Sequence, residues 1–284
     1  MSKIAVVTGA SRGAGKGIAL ALGSKGYTVY VTGRTRNEGD APLPGTIDAT
    51  AAEITKAGGK GIAVACDGGD PAQIRALFEQ VAREQGGRLD ILVNNAASIH
   101  DDLIKPGPFW EKSVDLVDIL DIGLRSSYLA TYYAAPLLVK NGRGLVVNTS
   151  SFGGRCYMHG PGYGAQKAGH DKMAWDMAHD FKPFKVGVVS IWMGMLRTER
   201  TERVIAAEPD KYAELALMME TPQLTGLVID ALYNDPALLD KSGQTLVGAE
   251  VAQQYGLKDI NGSQPPSHRP MLGDTPTWSA AVVE

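Results

Sequence analysis

A short apolar run, Lys3 to Val7, ends in Thr8-Gly9 and passes through Ala-Ser-Arg-Gly13-Ala-Gly15 into Ile18, Ala21 and Leu22 at helical spacing, stopped by Gly26. Strand, glycine-rich turn and helix in that order commit the chain to a crossover, and the pattern repeats. Thr28 to Thr32 alternates β-branched and aromatic residues as a second strand, with Asp48 to Ala57 as its return helix. Gly61 to Cys66 is a third strand, and Asp70-Pro71 opens a helix whose Ile74, Leu77, Phe78 and Val81 make one apolar stripe. Ile91 to Val93 is a fourth. A long helix over Val114 to Lys140, a strand at Leu145 to Val147, a helix over Tyr163 to Phe181 and a strand at Val186 to Ile191 continue the alternation. Residues 198–240 read as helical throughout, with Pro209 and Pro222 at first-turn positions, and Leu246-Val247 is a candidate seventh strand. Strands separated by helices pair in parallel, so the expected fold is α/β, a doubly wound parallel sheet of about seven strands with helices on both faces.

With 284 residues the chain can bury a full core as one unit. Residues 1–257 form the expected domain. After Asp259 the chain turns to Asn, Gly, Ser and Pro, so 258–284 reads as a tail that is either disordered or laid across a neighbouring subunit through Met271, Leu272 and Trp278. A net charge of −3 gives no basic excess for nucleic acid or anionic lipid, so neither is expected as a partner. Cys66 and Cys156 lack metal-ligand or disulfide spacing, and His100 and His159 have no partners at such spacing, so no metal site is expected. The start of the chain lacks a signal peptide's charged region, and no apolar run approaches a membrane span; a cytoplasmic location is the expectation.

Two motifs bear chemistry. The glycine-rich turn lets backbone N–H groups approach a pyrophosphate at the positive end of the following helix. Tyr163 and Lys167, four residues apart on one helical face, place an ammonium beneath a phenol and favour its ionised form, which suits a proton donor and acceptor near neutral pH.

Thr8-Gly9…Gly13-Ala-Gly15, Asn94-Asn95-Ala96, Ser150-Ser151 and Tyr163-Gly-Ala-Gln-Lys167, in that order and at those separations, resemble the short-chain dehydrogenase/reductase family over roughly Met1 to Gly248. The resemblance implies a Rossmann-type domain in which Tyr163 is the general acid/base, Lys167 lowers its pKa and bonds the nicotinamide ribose, and a serine polarises a carbonyl. Ser151 aligns as that serine, whereas Ser150 fits by raw separation from Tyr163. It further implies cofactor contacts from Gly9, Ser11, Arg12, Gly13 and Gly15, from Asp67 and Gly68 at the adenine, from Asn95 and Ala96 at the ribose, and from Gly194 and Thr198 at the nicotinamide. Where the family's NAD enzymes carry an acid after the second strand, this chain has Gly33-Arg34, and Arg12 with Arg34 could grip a 2′-phosphate from two sides. NADP is therefore expected, with NAD possible; the other reading has Arg34 and Arg36 as solvated loop charges pairing with Glu38 or Asp40.

Two departures stand out. Met193 replaces the usual Pro before Gly194, and Gly123 replaces the helix Asn that relays protons to the Lys in many relatives. Gly-Leu-Arg at 123–125, the twelve-residue step from Ser151 to Tyr163 and Gln-Gln-Tyr-Gly-Leu at 253–257 resemble the subgroup of dehydrogenase/reductase member 1. His100, Phe109 and Trp110 in the loop after the fourth strand, with Phe152, Cys156, Tyr157, Met158 and His159, either wall an apolar pocket or pack the loops. The function implied is an NADP-dependent oxidoreductase acting on a ketone, aldehyde or secondary alcohol, assembled as a homodimer or homotetramer through the helices at 114–140 and 163–181. An NAD-linked alcohol dehydrogenase and a non-catalytic cofactor-binding regulator are the alternatives.

Overall fold

A computed structural model describes residues 2–283. Among them are seven strands: β1 (Ile4–Val7), β2 (Thr28–Gly33), β3 (Lys60–Ala65), β4 (Ile91–Asn94), β5 (Gly144–Ser150), β6 (Val186–Trp192) and β7 (Thr245–Val247). All pair in parallel in one sheet of order β3-β2-β1-β4-β5-β6-β7. Val6 stands opposite Tyr30 on one side and Leu92 on the other, which fixes the register at the centre. The helices are α1 (Gly13–Ser24), α2 (Ile47–Lys56), α3 (Pro71–Glu84), α4 (Ser126–Asn141), α5 (Pro161–Phe181), α6 (Glu199–Ala207), α7 (Pro209–Leu217), α8 (Pro222–Asn234), α9 (Gly248–Gln254) and the single turn α10 (Arg269–Leu272).

Because successive strand residues point to opposite faces, each strand feeds two cores. On one face Val7, Val29 and Val147 meet Ile18, Leu22, Ile54, Val228 and Val251 from α1, α2, α8 and α9. On the other, Val6, Leu92 and Val146 meet Ile74, Phe78, Leu137 and Ala174 from α3, α4 and α5. Each fully buried large aliphatic side chain contributes roughly 1.5–3 kcal/mol. The doubly wound sheet read from the sequence is the observed one.

Three expectations change. The long helix over 114–140 is in fact a 3-10 turn at Val114–Val117, a π-helical stretch at Ile119–Arg125 and only then α4. Ser126 and Ser127 donate their hydroxyls to the carbonyls of Ile122 and Gly123, at 2.5 and 2.6 Å, and so satisfy acceptors that the widened turn leaves behind. The span 198–240 breaks into α6, α7 and α8; Glu220, bridged to Leu196, separates the last two, while Pro209 and Pro222 do open α7 and α8. The end of the chain folds back on its own body. Asp259 accepts from the Thr221 amide, Ser267 and Arg269 bond Glu250, and Leu272 packs on the cluster of Phe152, Trp192 and Val247.

Candidate active site

Strand order reverses at β1, so the chains leaving β1 and β4 diverge and a crevice opens over their carboxyl ends. The crevice is a cleft of about 910 Å³. It is lined by Gly9, Ser11, Arg12, Gly13, Gly15, Arg34, Asp67, Gly68, Asn95, Ala96, Tyr163, Lys167 and Thr198. Of the residues expected at the cofactor, Gly194 alone is outside this lining.

At the floor, Gly9 and Gly13 take φ of +63° and +56°, where side chains are strained. A Cβ on Gly15 would lie 2.4 Å from the Gly9 carbonyl oxygen and 2.5 Å from Asn95 Nδ2. Asn95 Nδ2 donates to the carbonyls of Thr8 and Gly9 at 2.9 and 3.1 Å, and Thr8 Oγ1 accepts from the amides of Asn95 and Ala96. The turn is thus braced from β4, and with no side chains on its glycines it forms a backbone cradle at the start of α1 that fits a pyrophosphate. Asn94 is structural: its Nδ2 donates to Thr131 Oγ1 and Asn148 Oδ1, both at 2.9 Å.

The arginines are arranged differently from a two-sided clamp. Arg12 donates Nε to the Pro44 carbonyl at 2.9 Å and Nη2 to the Gly45 carbonyl at 2.8 Å, with Thr35 Oγ1 at 3.3 Å, so it secures the loop after β2. Arg34 is exposed, with Nη1 3.9 Å from Asp67 Oδ2. Arg36 pairs with Asp48 at 2.9–3.0 Å rather than with Glu38 or Asp40.

Tyr163, on the first turns of α5, brings its hydroxyl 2.9 Å from Ser151 Oγ. Ser150 is buried and donates to the Lys167 carbonyl, so Ser151 is the serine that faces the phenol. Lys167 Nζ lies 5.3 Å from the Tyr163 ring centre and donates to the Thr149 carbonyl at 3.2 Å. Burial pulls the Lys167 ammonium down to about 8, against the attraction of Asp171. Burial also pushes the Tyr163 phenol up; the Ser151 bond opposes this, but the net direction stays upward, opposite to the sequence expectation. Beside it stands His159, at φ +59° with its ring 5.0 Å from that of Tyr163.

The place of the expected helix Asn is filled. A Cβ on Gly123 would meet Gln166 Cγ at 2.9 Å, and the Gly123 carbonyl lies 3.0 Å from His170 Nε2. His170 Nδ1 is 3.0 Å from the same Thr149 carbonyl that Lys167 uses, and Ser127 Oγ is 3.0 Å from Nε2. Burial, helped by Lys167, draws the His170 pKa down to about 4. Neither Gln166 nor His170 was singled out from the sequence, although His170, three residues after Lys167, shares its helical face.

The Met193 departure is explained directly. Its amide donates to the Ser150 carbonyl at 3.2 Å, a bond that proline cannot make. Gly194 donates to Glu220 Oε1 at 3.1 Å, and burial pushes that carboxyl up to about 7. Thr198 caps α6, its Oγ1 accepting from the Thr201 amide. Of the suggested substrate walls, His100 lines the cleft together with Ile99 and Ile104. Phe152, Cys156 and Met158 instead pack around Trp192, and Phe109, Trp110 and Tyr157 are exposed to solvent.

The sequence matches the profile described as short chain dehydrogenase over residues 3–209. It is 41% identical over 270 residues to "Dehydrogenase/reductase SDR family member 1" of Mus musculus, covering 92% of this chain and 84% of that one. A 3-oxoacyl-[acyl-carrier-protein] reductase of Synechocystis is 31% identical over 247 residues, covering 86% and 94%. Among solved structures, a putative short-chain alcohol dehydrogenase from Sinorhizobium meliloti superposes with a TM-score of 0.70 at 25% identity, covering 87% of this chain and 95% of that one. A putative dehydrogenase from Xanthomonas campestris, at 24% identity, shares the fold with a TM-score of 0.75 over 92% of this chain and 91% of that one.

Proposed function

Because the chain belongs to the short-chain dehydrogenase/reductase family and is an oxidoreductase that resembles the member 1 subgroup, we propose that it interconverts a ketone or aldehyde and a secondary or primary alcohol, with NADP as cofactor. The observation that carries this reading is the 2.9 Å contact between Ser151 Oγ and Tyr163 Oη, with Lys167 beneath the ring. A carbonyl oxygen received by both hydroxyls is polarised by Ser151 and protonated by Tyr163 as reduction proceeds. Bound nicotinamide supplies or accepts the hydride. The buried Lys167 ammonium, 5.3 Å from the ring centre, would favour the phenolate that forms when the proton leaves. Gln166 occupies the space where many relatives carry the relay Asn and His170 contacts the Gly123 carbonyl, so in this reading protons do not leave through a side chain at 123.

The cradle of Gly9, Gly13 and Gly15 would hold the pyrophosphate. Asp67 and Gly68 would face the adenine side, Asn95 and Ala96 the ribose, and Thr198 the nicotinamide side. Arg34 is our choice for the 2′-phosphate, since Arg12 is engaged by the Pro44 and Gly45 carbonyls. Substrate would pass over Ile99, His100 and Ile104. We place the activity in the cytoplasm, where Cys66 and Cys156 stay reduced, and in a homodimer or homotetramer through α4 and α5; Tyr128 and Tyr132, one turn apart and exposed on α4, suit such an interface. Among the described residues no helix is long and apolar enough to cross a membrane.

The test is a fluorescence titration with NADPH and NADH at equal ionic strength. NADPH is expected to bind about tenfold tighter, roughly 1.4 kcal/mol, and Arg34→Ala to erase that margin while leaving NADH unchanged. Tighter binding of NADH by the unmodified protein would move the assignment to an NAD-linked alcohol dehydrogenase.

A further inference from the structure

The first turn of α1 contains no acidic residue, and Arg12, which precedes it, makes no side-chain cap. The amide that opens the helix is nevertheless satisfied. Gly13 N–H donates to Glu199 Oε2 at 2.9 Å, a carboxylate 186 residues away at the first position of α6. Glu199 lines the cleft, so its negative charge lies where the backbone cradle would hold the phosphates of a dinucleotide.

The rest of α6 spans the mouth of the cleft. Arg200 pairs with Asp101 at 2.6 Å and donates to the Ile99 carbonyl, tying the helix to the loop after β4. Arg203 reaches the Pro42 carbonyl in the loop after β2 at 3.5 Å. One short helix therefore touches the phosphate cradle and both loops that border the cleft. None of its residues is fully buried, so little apolar contact opposes its displacement.

We propose that Glu199 is an affinity-setting latch: its carboxylate competes with the cofactor's phosphates for the opening amides of α1, so that cofactor entry displaces it and loosens α6 from the cradle. This rests on the dinucleotide reading of the same cleft. Two charges of like sign cannot share those amides, so the phosphate that binds must first break the Gly13 contact. The latch lowers affinity for every pyrophosphate-bearing ligand alike, whereas Arg34 discriminates between two of them.

The experiment measures binding by calorimetry with inorganic pyrophosphate and with NADPH, on the full chain, for Glu199→Gln, Glu199→Ala and Glu202→Gln. Glu202 is the control, since it carries the same charge on the same helix but pairs with Arg197. Both Glu199 variants are expected to bind pyrophosphate and NADPH about five- to tenfold tighter, with Glu202→Gln within about twofold of the unmodified protein. In ligand-free thermal unfolding, Glu199→Ala is expected to melt lower than Glu202→Gln because α1 has lost its cap. Equal or weaker pyrophosphate binding by both Glu199 variants would overturn the latch. If neither the unmodified protein nor any variant bound NADPH, the proposed function would fall, while the pyrophosphate comparison would still decide the latch.

Discussion

The cleft has a floor and a rim, and they are built from different materials. On the floor, Thr8, Asn94, Asn95, Asn148 and Thr149 exchange hydrogen bonds between neighbouring strand ends, and Ser150, Lys167 and His170 are buried beneath them. On the rim, Arg34, Arg200 and Arg203 lean on exposed loops through ion pairs and single carbonyl contacts that contribute little each in water. The difference teaches where each task can sit. Proton transfer needs groups fixed to a fraction of an ångström, which only the floor provides, while the choice of cofactor and substrate tolerates the looser rim.

Changes at the floor should therefore affect the fold as well as the site. Gly15→Ala drives a methyl into the Gly9 backbone carbonyl and the side-chain amide of Asn95, which the Thr8 and Gly9 carbonyls hold in place, and is expected to cost about 3 kcal/mol or prevent folding, read by urea unfolding. A stability loss under about 0.5 kcal/mol would mean that the floor is not rigid.

His170 sharpens the same contrast through pH. Its folded pKa, near 4, lies below the ordinary 6.5, so the stability it contributes is present above 6.5 and is lost as pH falls toward 4. Asp171 and Glu220, raised by burial to about 6 and about 7, act with the opposite sign, losing their contribution as pH rises through those values. His170→Gln isolates the first effect. Relative to the unmodified protein it is expected to gain roughly 2–3 kcal/mol between pH 6.5 and 4, and a constant difference across that range would contradict the placement of His170. The smallest effect belongs to the rim: Trp110 is 72% exposed, so Trp110→Ala should leave kcat/KM for a bulky ketone within about twofold. A tenfold loss would mean that the rim closes on substrate.

The floor was also the part most legible in the sequence. Gly9, Gly13, Gly15, Ser151, Tyr163 and Lys167 stand in local motifs whose geometry is set by one turn or one helix face, while the choice between Ser151 and Ser150 needed the structure, in which Ser151 faces the phenol. What could not be read depends on residues far apart in the chain. Arg12 binds carbonyls at 44 and 45, Glu199 caps a helix at 13, and Gln166 fills the space beside Gly123. The π-helical stretch at 119–125 is only seven residues long, too short for apolar spacing to separate it from the α-helix expected there. The tail was misread because a segment poor in apolar residues can still be held by pairs such as Arg269 with Glu250 and Asp259 with Thr221.

The central claim is that the chemistry depends on the Tyr163 hydroxyl and not on cofactor binding. It is tested most directly by mixing NADPH-loaded protein with an aromatic ketone and following the loss of nicotinamide absorbance in a single turnover, for the unmodified chain and for Tyr163→Phe. The variant is expected to bind NADPH within about twofold and to transfer hydride at least about a hundredfold more slowly. Transfer at an unchanged rate would contradict the account and remove Tyr163 from the mechanism.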